Sequence, residues 1–535
     1  MLTSTLTAPT VAAAGLPPYT GSFGRREAGH LLRRTLFGPT LAEIDTAVSR
    51  GLQATLDTLF SPASPPPPPV NHVFTEDRNV PIGQTWVNSP FLEDVDVAGY
   101  RWHSLRGWYI NHLIDSPTRV QEKMVMFWCN HFGMAEAGAG DHRVQYDYIR
   151  LFREYATGNF RELIERITVH PSMLQFLNGR YNNKNAPDEN YARELLELFT
   201  VQKGQPGDVN YTEDDIREIA RVLTGWRVEN LWSTNEAPVR SYFHQPWHDE
   251  GTKQLSSYFK NAVIENGGAE EYKTLIGIIF RHPETARAIC RDLYLYFVGE
   301  IDEGTTWVIN SMARLLRESD YEIAPVLRNL FASQRFMAPG RHSTIVKNPY
   351  EFMLSIARPL GGYGHLALDL NISTRLAGSY HWWAKQADQD VFYPPTVSGW
   401  KAYYQAPGFY RNWISAPTLQ KRRELVESMT WNGVWAEGEP RPFDWFGFLD
   451  GLTNPEDIND LIDDVAIVFM ARRLHPDQVV GLKEVLLPGL PDFEWTIQYR
   501  QYRANPDNPE YVNPIFNKLR DFFRALFSTA EFQLL

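Results

Sequence analysis

Apolar residues recur every three or four positions through most of this 535-residue chain, a spacing typical of amphipathic α-helices. One stripe contains Trp102, Leu105 and Tyr109. Thr40 followed by Glu43 has the spacing of a capping box, which marks a helix N-terminus. Helices are predicted over 24–36, 41–49, 51–60, 99–114, 117–132, 142–156, 159–169, 188–201, 212–225, 269–281, 284–298, 304–317, 321–333, 347–358, 411–428, 455–472, 475–486 and 512–528.

Two stretches break this pattern. Residues 226–228 and 239–243 alternate in polarity around a polar turn, which indicates a small β-hairpin. Residues 361–410 are rich in Gly, Pro and aromatics and are predicted to be largely irregular. The predicted fold class is mainly α: a multi-helical globular body with one small hairpin and a long aromatic-rich irregular segment.

The chain length favours about three units. We predict an N-terminal tail over 1–20, then helical units over 21–235, 236–360 and 361–535, fused into one body. Five consecutive prolines in the first unit make 61–70 a stiff linker that runs over the surface.

Charge and cysteine content exclude several classes of protein. The formal net charge of -12 disfavours nucleic acid as a partner. The basic pairs Arg33-Arg34 and Arg422-Arg423 are interpreted as solvated helix faces. Two distant cysteines rule out a disulfide framework, and no apolar run is long enough to span a membrane. No clear signal peptide is present, so a cytoplasmic location is expected, with export as the alternative.

Seven short strings follow one another in a distinctive order. They are 30–38 (HLLRRTLFG), 126–132 (MFWCNHF), 189–200 (ENYARELLELFT), 211–215 (YTEDD), 223–226 (LTGW), 248–251 (HDEG) and 398–400 (SGW). Together they resemble the motifs of the bacterial family called domain of unknown function 1800, over nearly the whole chain. The most distinctive is 189–200.

This resemblance implies a fold class but no reaction. Many members of that family look exported, and they are often encoded beside proteins that resemble alkaline phosphatase. One residue departs from the pattern: Cys129 stands where the family usually has His. A thiolate replaces an imidazole as a metal ligand in some sites, but a buried structural cysteine is the commoner case.

The string 189–200 carries the first candidate site. Glu194 and Glu197 project from one side of the predicted helix, with Arg193 beside them. Paired carboxylates on a helix hold hard metals or supply a general acid and base. We therefore predict catalytic roles for these three residues. The alternative is a surface ladder in which Glu189 and Glu197 each pair with Arg193, contributing only about 0.3–0.5 kcal/mol per pair.

Three further residues are candidate ligands of a divalent metal. His131 is predicted to end a helix, and His248 and Asp249 follow the predicted hairpin. If that segment folds over the helix bearing Glu194, a mixed imidazole and carboxylate site suited to zinc, manganese or iron results. The alternative is that these are ordinary structural or surface residues.

Aromatic residues crowd into 380–413. Rings in irregular segments stack well on sugars or extended peptides, and Trp400, Trp413 and Tyr393 are the predicted substrate-binding residues. The alternative is that they fill the core between helical units.

Two functions follow from these sites. The first is a metal- or carboxylate-assisted enzyme, hydrolase-like, that acts on a polar and polymeric substrate. The second is a non-catalytic protein that binds carbohydrate or a partner protein through 380–413. The chain lacks a phosphate loop, a dinucleotide fingerprint, a Gly-x-Ser-x-Gly elbow and a His-Glu-x-x-His helix, which disfavours the chemistries that use them.

Overall fold

The computed structural model describes residues 16–133, 141–204, 209–361, 369–436 and 439–535. Within these ranges the fold is mainly α-helical, as predicted, with three small two-stranded sheets. The helices are α1 Arg25–Thr35, α2 Leu41–Leu59, α3 Ala98–Ile114, α4 Gln121–His131, α5 His142–Glu154, α6 Phe160–Thr168, α7 Pro171–Phe176, α8 Glu189–Glu194, α9 Glu213–Val222, α10 Glu271–Ile279, α11 Pro283–Phe297, α12 Thr305–Glu318, α13 Ile323–Phe331, α14 Gln334–Met337, α15 Pro349–Ala357, α16 Leu370–Gln386, α17 Lys401–Tyr404, α18 Ala416–Asn432, α19 Trp445–Asp450, α20 Ile458–Phe469, α21 Pro476–Leu486, α22 Phe493–Ala504 and α23 Pro509–Phe527.

The strands form three antiparallel pairs. They are β1 Trp226–Glu229 with β2 Arg240–Phe243, β3 Lys253–Gln254 with β4 Val263–Ile264, and β5 Val434–Ala436 with β6 Glu439–Arg441. The first pair is the predicted hairpin, in the register Trp226 opposite Phe243.

Local signals set several helix ends. Thr40 accepts a hydrogen bond from the Glu43 backbone at 3.2 Å, and the Glu43 carboxylate accepts one from the Thr40 backbone at 2.8 Å. This is the predicted capping box. The two helices predicted on either side of residue 50 join into α2, which breaks at Gly51, where φ is +77°.

The prediction that 361–410 is largely irregular is wrong for its middle part. Residues 362–368 lie outside the described residues, but α16 follows, because the Asp369 carboxylate accepts from the backbone N–H groups of Asn371 and Ile372. One side of α16 is buried, including Leu376, Ala377 and Tyr380, and the helix packs along α3. Helices α7, α14, α17, α19 and α22 were not predicted either.

The interpretation of the basic pairs as solvated faces is wrong for three of the four arginines. Arg33, Arg34 and Arg422 are buried, whereas Arg423 is exposed. Arg33 donates to the Ile467 carbonyl at 2.6 Å, near the C-terminus of α20. Arg34 donates to the Phe297 carbonyl at 3.4 Å, at the C-terminus of α11. Buried guanidinium groups there supply the donors that the last carbonyls of a helix lack.

Buried apolar side chains from Leu16 to Phe532 form one contiguous core cluster. The proline-rich segment 61–70 runs along its outside, held where Trp108 Nε1 donates to the Pro67 carbonyl at 2.7 Å. Most of the predicted tail lies outside the described residues, but Leu16 donates to the Asn329 side chain and Tyr19 to the Ala332 carbonyl. No helix in the described ranges has both the length and the apolarity that a bilayer crossing requires.

Candidate functional site

A cleft of about 1430 Å³ opens between the C-terminus of α4, the segment after α8, helix α11 and the aromatic segment 398–413. Its walls include Phe127, Asn130, His131, Glu197, Leu198, Gln202, Lys203, Glu284, Arg287, Arg291, Asp292, Asn310, Tyr403, Tyr404, Phe409, Tyr410 and Trp413. Several of the strings that carry the family resemblance therefore meet here: 126–132, 189–200 and 398–400.

A π-helical turn, Leu195–Phe199, continues α8 and faces the cleft. The Thr200 hydroxyl donates to the Leu195 carbonyl at 2.6 Å, and the Gln202 backbone donates to the Leu196 carbonyl at 2.8 Å. These bonds close the helix and leave the Phe199 carbonyl beside the ring of His131. Single π turns occur disproportionately at functional sites.

His131 and Asp292 form a pair in the cleft wall. The Nδ1 atom of His131 lies 3.5 Å from Asp292 Oδ2, and its Nε2 atom lies 3.3 Å from the Phe199 carbonyl. A carbonyl only accepts hydrogen bonds, so Nε2 carries the proton and Nδ1 turns its lone pair towards Asp292. The two side chains are placed to share one proton.

Burial sets the protonation of this pair. It raises the pKa of Asp292 to about 6, against the lowering by Arg291 and by a Gln202 hydrogen bond. It also lowers the pKa of His131 to about 4. The Asp292 side chain remains 26% exposed and so reaches the cleft. A carboxyl group that titrates near pH 6 beside a neutral imidazole is suited to acid–base chemistry.

Gln202 and Arg291 hold the Asp292 carboxylate in place. Arg291 donates to Gln202 Oε1 at 2.8 Å, so the amide nitrogen of Gln202 must point the other way, and it donates to Asp292 Oδ2 at 3.1 Å. The Gln202 backbone is left-handed, with φ +57°. The side-chain amide of Asn210 donates to the Val201 and Gln202 carbonyls, which flank the Cα atom of Gln202. Strained backbone of this kind concentrates at functional sites.

Of the three predicted catalytic residues, the cleft contains Glu197. Its carboxylate pairs with Lys203 and accepts from the Tyr211 hydroxyl at 3.3 Å. Glu194 is partly buried, and burial and the charge of Glu197 raise its pKa.

The third predicted catalytic residue, Arg193, lies on the surface. It pairs with Glu189 at 3.2 Å and with Glu213 at 2.8 Å. The predicted surface pair between Glu189 and Arg193 is therefore present, whereas Glu197 pairs with Lys203 and not with Arg193.

His248 and Asp249 lie outside the cleft. The buried ring of His248 contacts the Thr224 carbonyl and Glu271 Oε2, each at 3.0 Å, and Lys253 joins the same carboxylate at 2.6 Å. Asp249 pairs with Arg221 at 2.9 Å. These bonds attach the segment after the hairpin to α9 and α10, and they do not bring His248 to His131.

Metal binding by His131, His248 and Asp249 stays a prediction. In the part of the chain that the structure describes, no three His, Cys, Asp or Glu side chains are grouped to hold a metal ion. Cys129 is buried in the core, and burial raises the pKa of its thiol.

The three predicted substrate-binding rings lie in different places. Trp413 lines the cleft although it is nearly buried, and Trp400 packs with it beneath the wall. Tyr393 packs against Trp102 at a centroid distance of 5.4 Å, outside the cleft lining. The segment 380–413 thus contributes both to the core and, through Tyr403, Tyr404, Phe409 and Tyr410, to the cleft wall.

Sequence reasoning missed Asp292, Gln202, Arg291 and Asn130. Asp292 and Arg291 sit in an ordinary amphipathic helix, where nothing in the local pattern distinguishes them. Asn130 stands inside the string 126–132, so its neighbour His131 was the available signal.

A family model described as "Protein of unknown function (DUF1800)" matches residues 30–534. No curated protein and no solved structure matches the chain.

Proposed function

Because the chain belongs to this family of unknown function, we propose from the cleft itself that the protein is a carboxyl-assisted hydrolase of a neutral polar polymer, of the carbohydrate class. The observation that carries the proposal is the pairing of Asp292 with His131 in the wall of a large cleft. Hydrolysis of a glycosidic bond needs a proton donor whose pKa lies near the working pH, and burial gives Asp292 that property.

The proposed reaction moves two protons. Protonated Asp292 gives its proton to the leaving-group oxygen as the bond to carbon breaks. A water molecule supplies the new hydroxyl group, and its proton goes to a second carboxylate. Glu197 is that second group in our proposal, because it lines the same cleft, where the Tyr211 hydroxyl donates to it and Lys203 pairs with it. Asp292 then takes up a proton from solvent and Glu197 releases one to solvent, which returns both carboxyl groups to their starting forms.

The cleft wall supports a neutral, ring-containing substrate. Tyr404, Phe409 and Tyr410 present aromatic surface to the cleft, and ring faces stack on sugars. The cations there already have acidic partners: Lys203 pairs with Glu197, and Arg287 with Glu284. The volume of about 1430 Å³ exceeds the roughly 300–1000 Å³ of a small-molecule pocket, which favours a polymer segment.

A metal-assisted form of the same reaction is the variant of this proposal. His131 and Asp292 would be two ligands of a divalent ion, with water or substrate completing its coordination. Elemental analysis of the purified protein, and activity before and after treatment with a chelator, separate the two forms.

The test is release of new reducing ends from a panel of neutral polysaccharides. Asp292→Asn should reduce the rate by at least about 100-fold, the usual contribution of a general acid. Asp147→Asn is the matched control, because Asp147 pairs with His170 at 3.2 Å outside the cleft lining. Its rate should stay within about twofold of the wild-type rate. A wild-type protein that releases nothing from the panel would overturn the proposal.

The aromatic wall separately favours a second function, in which the cleft binds carbohydrate without cleaving it. Wild-type protein would then bind oligosaccharides with no release of reducing ends, and Tyr410→Ala would weaken binding while Asp292→Asn would not. Faster cleavage by wild type than by Asp292→Asn would count against this second function.

A further inference from the structure

Asn130 occupies a fixed position in the cleft wall, one residue before His131 at the end of α4. It lines the cleft and is only 9% exposed. Its Oδ1 atom accepts a hydrogen bond from the backbone N–H of Trp400 at 2.9 Å. That bond connects the string 126–132 to the string 398–400.

The bond to Trp400 identifies the two ends of the Asn130 amide. A backbone N–H only donates, so the atom facing it is the amide oxygen and the Nδ2 atom points elsewhere. Within the described ranges, Nδ2 has no hydrogen-bond partner, although Asn130 is more than nine-tenths buried. Nδ2 is not enclosed by the core, and the cleft is the space that Asn130 lines.

Gly399 holds the side chain in this orientation. A Cβ atom on Gly399 would lie 2.2 Å from Asn130 Oδ1, and the φ of +89° is one that other residues rarely adopt. The backbone of 398–400 therefore fits closely around the Asn130 amide. A donor held in this way is organised before any ligand arrives, so a ligand oxygen meets it with little loss of conformational freedom.

We propose that Asn130 is a ligand-binding residue, whose Nδ2 donates a hydrogen bond to an oxygen of the carbohydrate in the cleft. The inference rests on the substrate class of the proposed function but not on catalysis. A neutral amide donor favours hydroxyl, ring or carbonyl oxygens, in keeping with a cleft whose charges are paired with one another. Asn130 acts beside the Asp292–His131 pair, as the group that positions the polymer.

The decisive variant is Asn130→Asp. At neutral pH the new carboxylate still accepts the Trp400 N–H but has no proton to donate. Asn310→Asp is the matched control: it places the same charge on the same cleft, and its oxygen still accepts from Arg287 Nε, a contact of 3.0 Å in the wild type. Both are made in the Asp292→Asn background, so that bound sugar is not consumed, and calorimetry measures binding of defined neutral hexasaccharides.

The expected result is a dissociation constant about 10–100-fold higher for the Asn130→Asp protein, and within about threefold of its parent for the Asn310→Asp protein. Equal weakening by both substitutions would overturn the inference and assign the effect to charge. Unchanged binding in Asn130→Asp would also overturn it. Absence of binding by any hexasaccharide would overturn both this inference and the proposed substrate class.

A second measurement keeps the inference testable if Asn130→Asp does not fold. Protein labelled with [15N]asparagine shows the side-chain amide protons directly, and the Asn130 signal is the one that Asn130→Ala removes. Adding the hexasaccharide should shift it and slow its exchange with water. Binding without such a shift would overturn the inference. Hexasaccharide binding that depends on Asn130, in a protein that never cleaves polymer, would leave the inference standing while the hydrolase proposal fails.

Discussion

The Nδ1 atom of His131, at the end of α4, lies 3.5 Å from Oδ2 of Asp292, in the middle of α11. The Phe199 carbonyl and the Gln202 amide orient the two partners from the intervening segment. Four side-chain or backbone groups from three parts of the chain thus define one proton position. This arrangement has consequences for stability as well as for chemistry.

Asp292→Asn should stabilise the folded protein at neutral pH. The folded pKa of Asp292 is about 6, above its ordinary value of 3.8, so the folded state binds more protons between those limits. The stability that protonated Asp292 gives the wild-type protein is therefore lost as pH rises through that window. At pH 7.5 we expect the free energy of unfolding of Asp292→Asn to exceed that of wild type by about 1–2 kcal/mol, and near pH 4 the two values should be equal. Denaturant unfolding at both pH values measures this. A variant that is less stable than wild type at pH 7.5 would contradict it.

His342→Phe should make the protein less sensitive to acid. His342 stacks on His30 at a centroid distance of 4.1 Å, and burial, followed by the charges of Arg33 and Arg34, lowers its pKa to about 4. The unfolded chain takes up a proton near pH 6.5 that the folded protein excludes, so wild-type stability is lost as pH falls from 6.5 to 4.

When the pH falls from 7 to 4.5, the free energy of unfolding should drop by about 1–2 kcal/mol less in His342→Phe than in wild type. Denaturant unfolding at the two pH values measures this. His475→Gln is the control, since that side chain is 69% exposed, and it should lose as much as wild type. If the free energy of unfolding falls equally with pH in wild type and His342→Phe, the folded protein does not keep the His342 imidazole from taking up a proton.

Lys123 and Glu351 form a buried ion pair between α4 and α15, and they should be coupled strongly. Their side chains are 1% and 8% exposed, and burial lowers the pKa of Lys123. Lys123→Met leaves a buried carboxylate without its cation and should cost about 3–5 kcal/mol. Adding Glu351→Gln, which keeps an acceptor for the Asn348 N–H, should recover about half of that loss. A double-mutant cycle by denaturant unfolding gives the coupling, and additive losses would contradict the prediction.

Gly399→Ala should destabilise the protein and displace Asn130. The φ of +89° and the 2.2 Å approach to Asn130 Oδ1 together should cost about 2–4 kcal/mol. Gly481→Ala is the matched control, because Gly481 lies inside α21 with open space around it. That change should stabilise the protein by about 0.5–1 kcal/mol. Thermal unfolding of the two variants measures both effects, and equal melting temperatures would rule out a close fit at Gly399.

Much of the secondary structure follows from short-range patterns. Thr40 and Glu43 identify the start of α2 because both partners of each hydrogen bond lie within four residues. The hairpin at Trp226–Glu229 and Arg240–Phe243 spans a longer stretch, but its two strands are still neighbours in the sequence. Helix α16 escaped prediction although Asp369 caps its N-terminus, because the Gly, Pro and aromatic residues of 361–410 obscure that local signal. Its buried side packs against α3, a helix far away in the chain.

The candidate site could be predicted only in part. His131 and Glu197 stand in strings that carry the family resemblance, and both line the cleft. His248 stands in a similar string, yet it is buried with Glu271 and Lys253. A distinctive short motif therefore marks a polar residue as a candidate for a specific role. The motif alone does not show whether that residue binds a ligand or bonds to another side chain.

By itself the sequence determined the family, the mainly helical fold and most helix positions, because periodicity, capping and turn residues act over a few neighbouring positions. Only the tertiary structure decided that Asp292 faces His131, that Arg33 and Arg34 are buried, and that Asn130 lines the cleft while its Oδ1 accepts from Trp400. Those relationships depend on the packing of helices distant along the chain. Their energies come from burial and from hydrogen bonds that exist only once the helices have met.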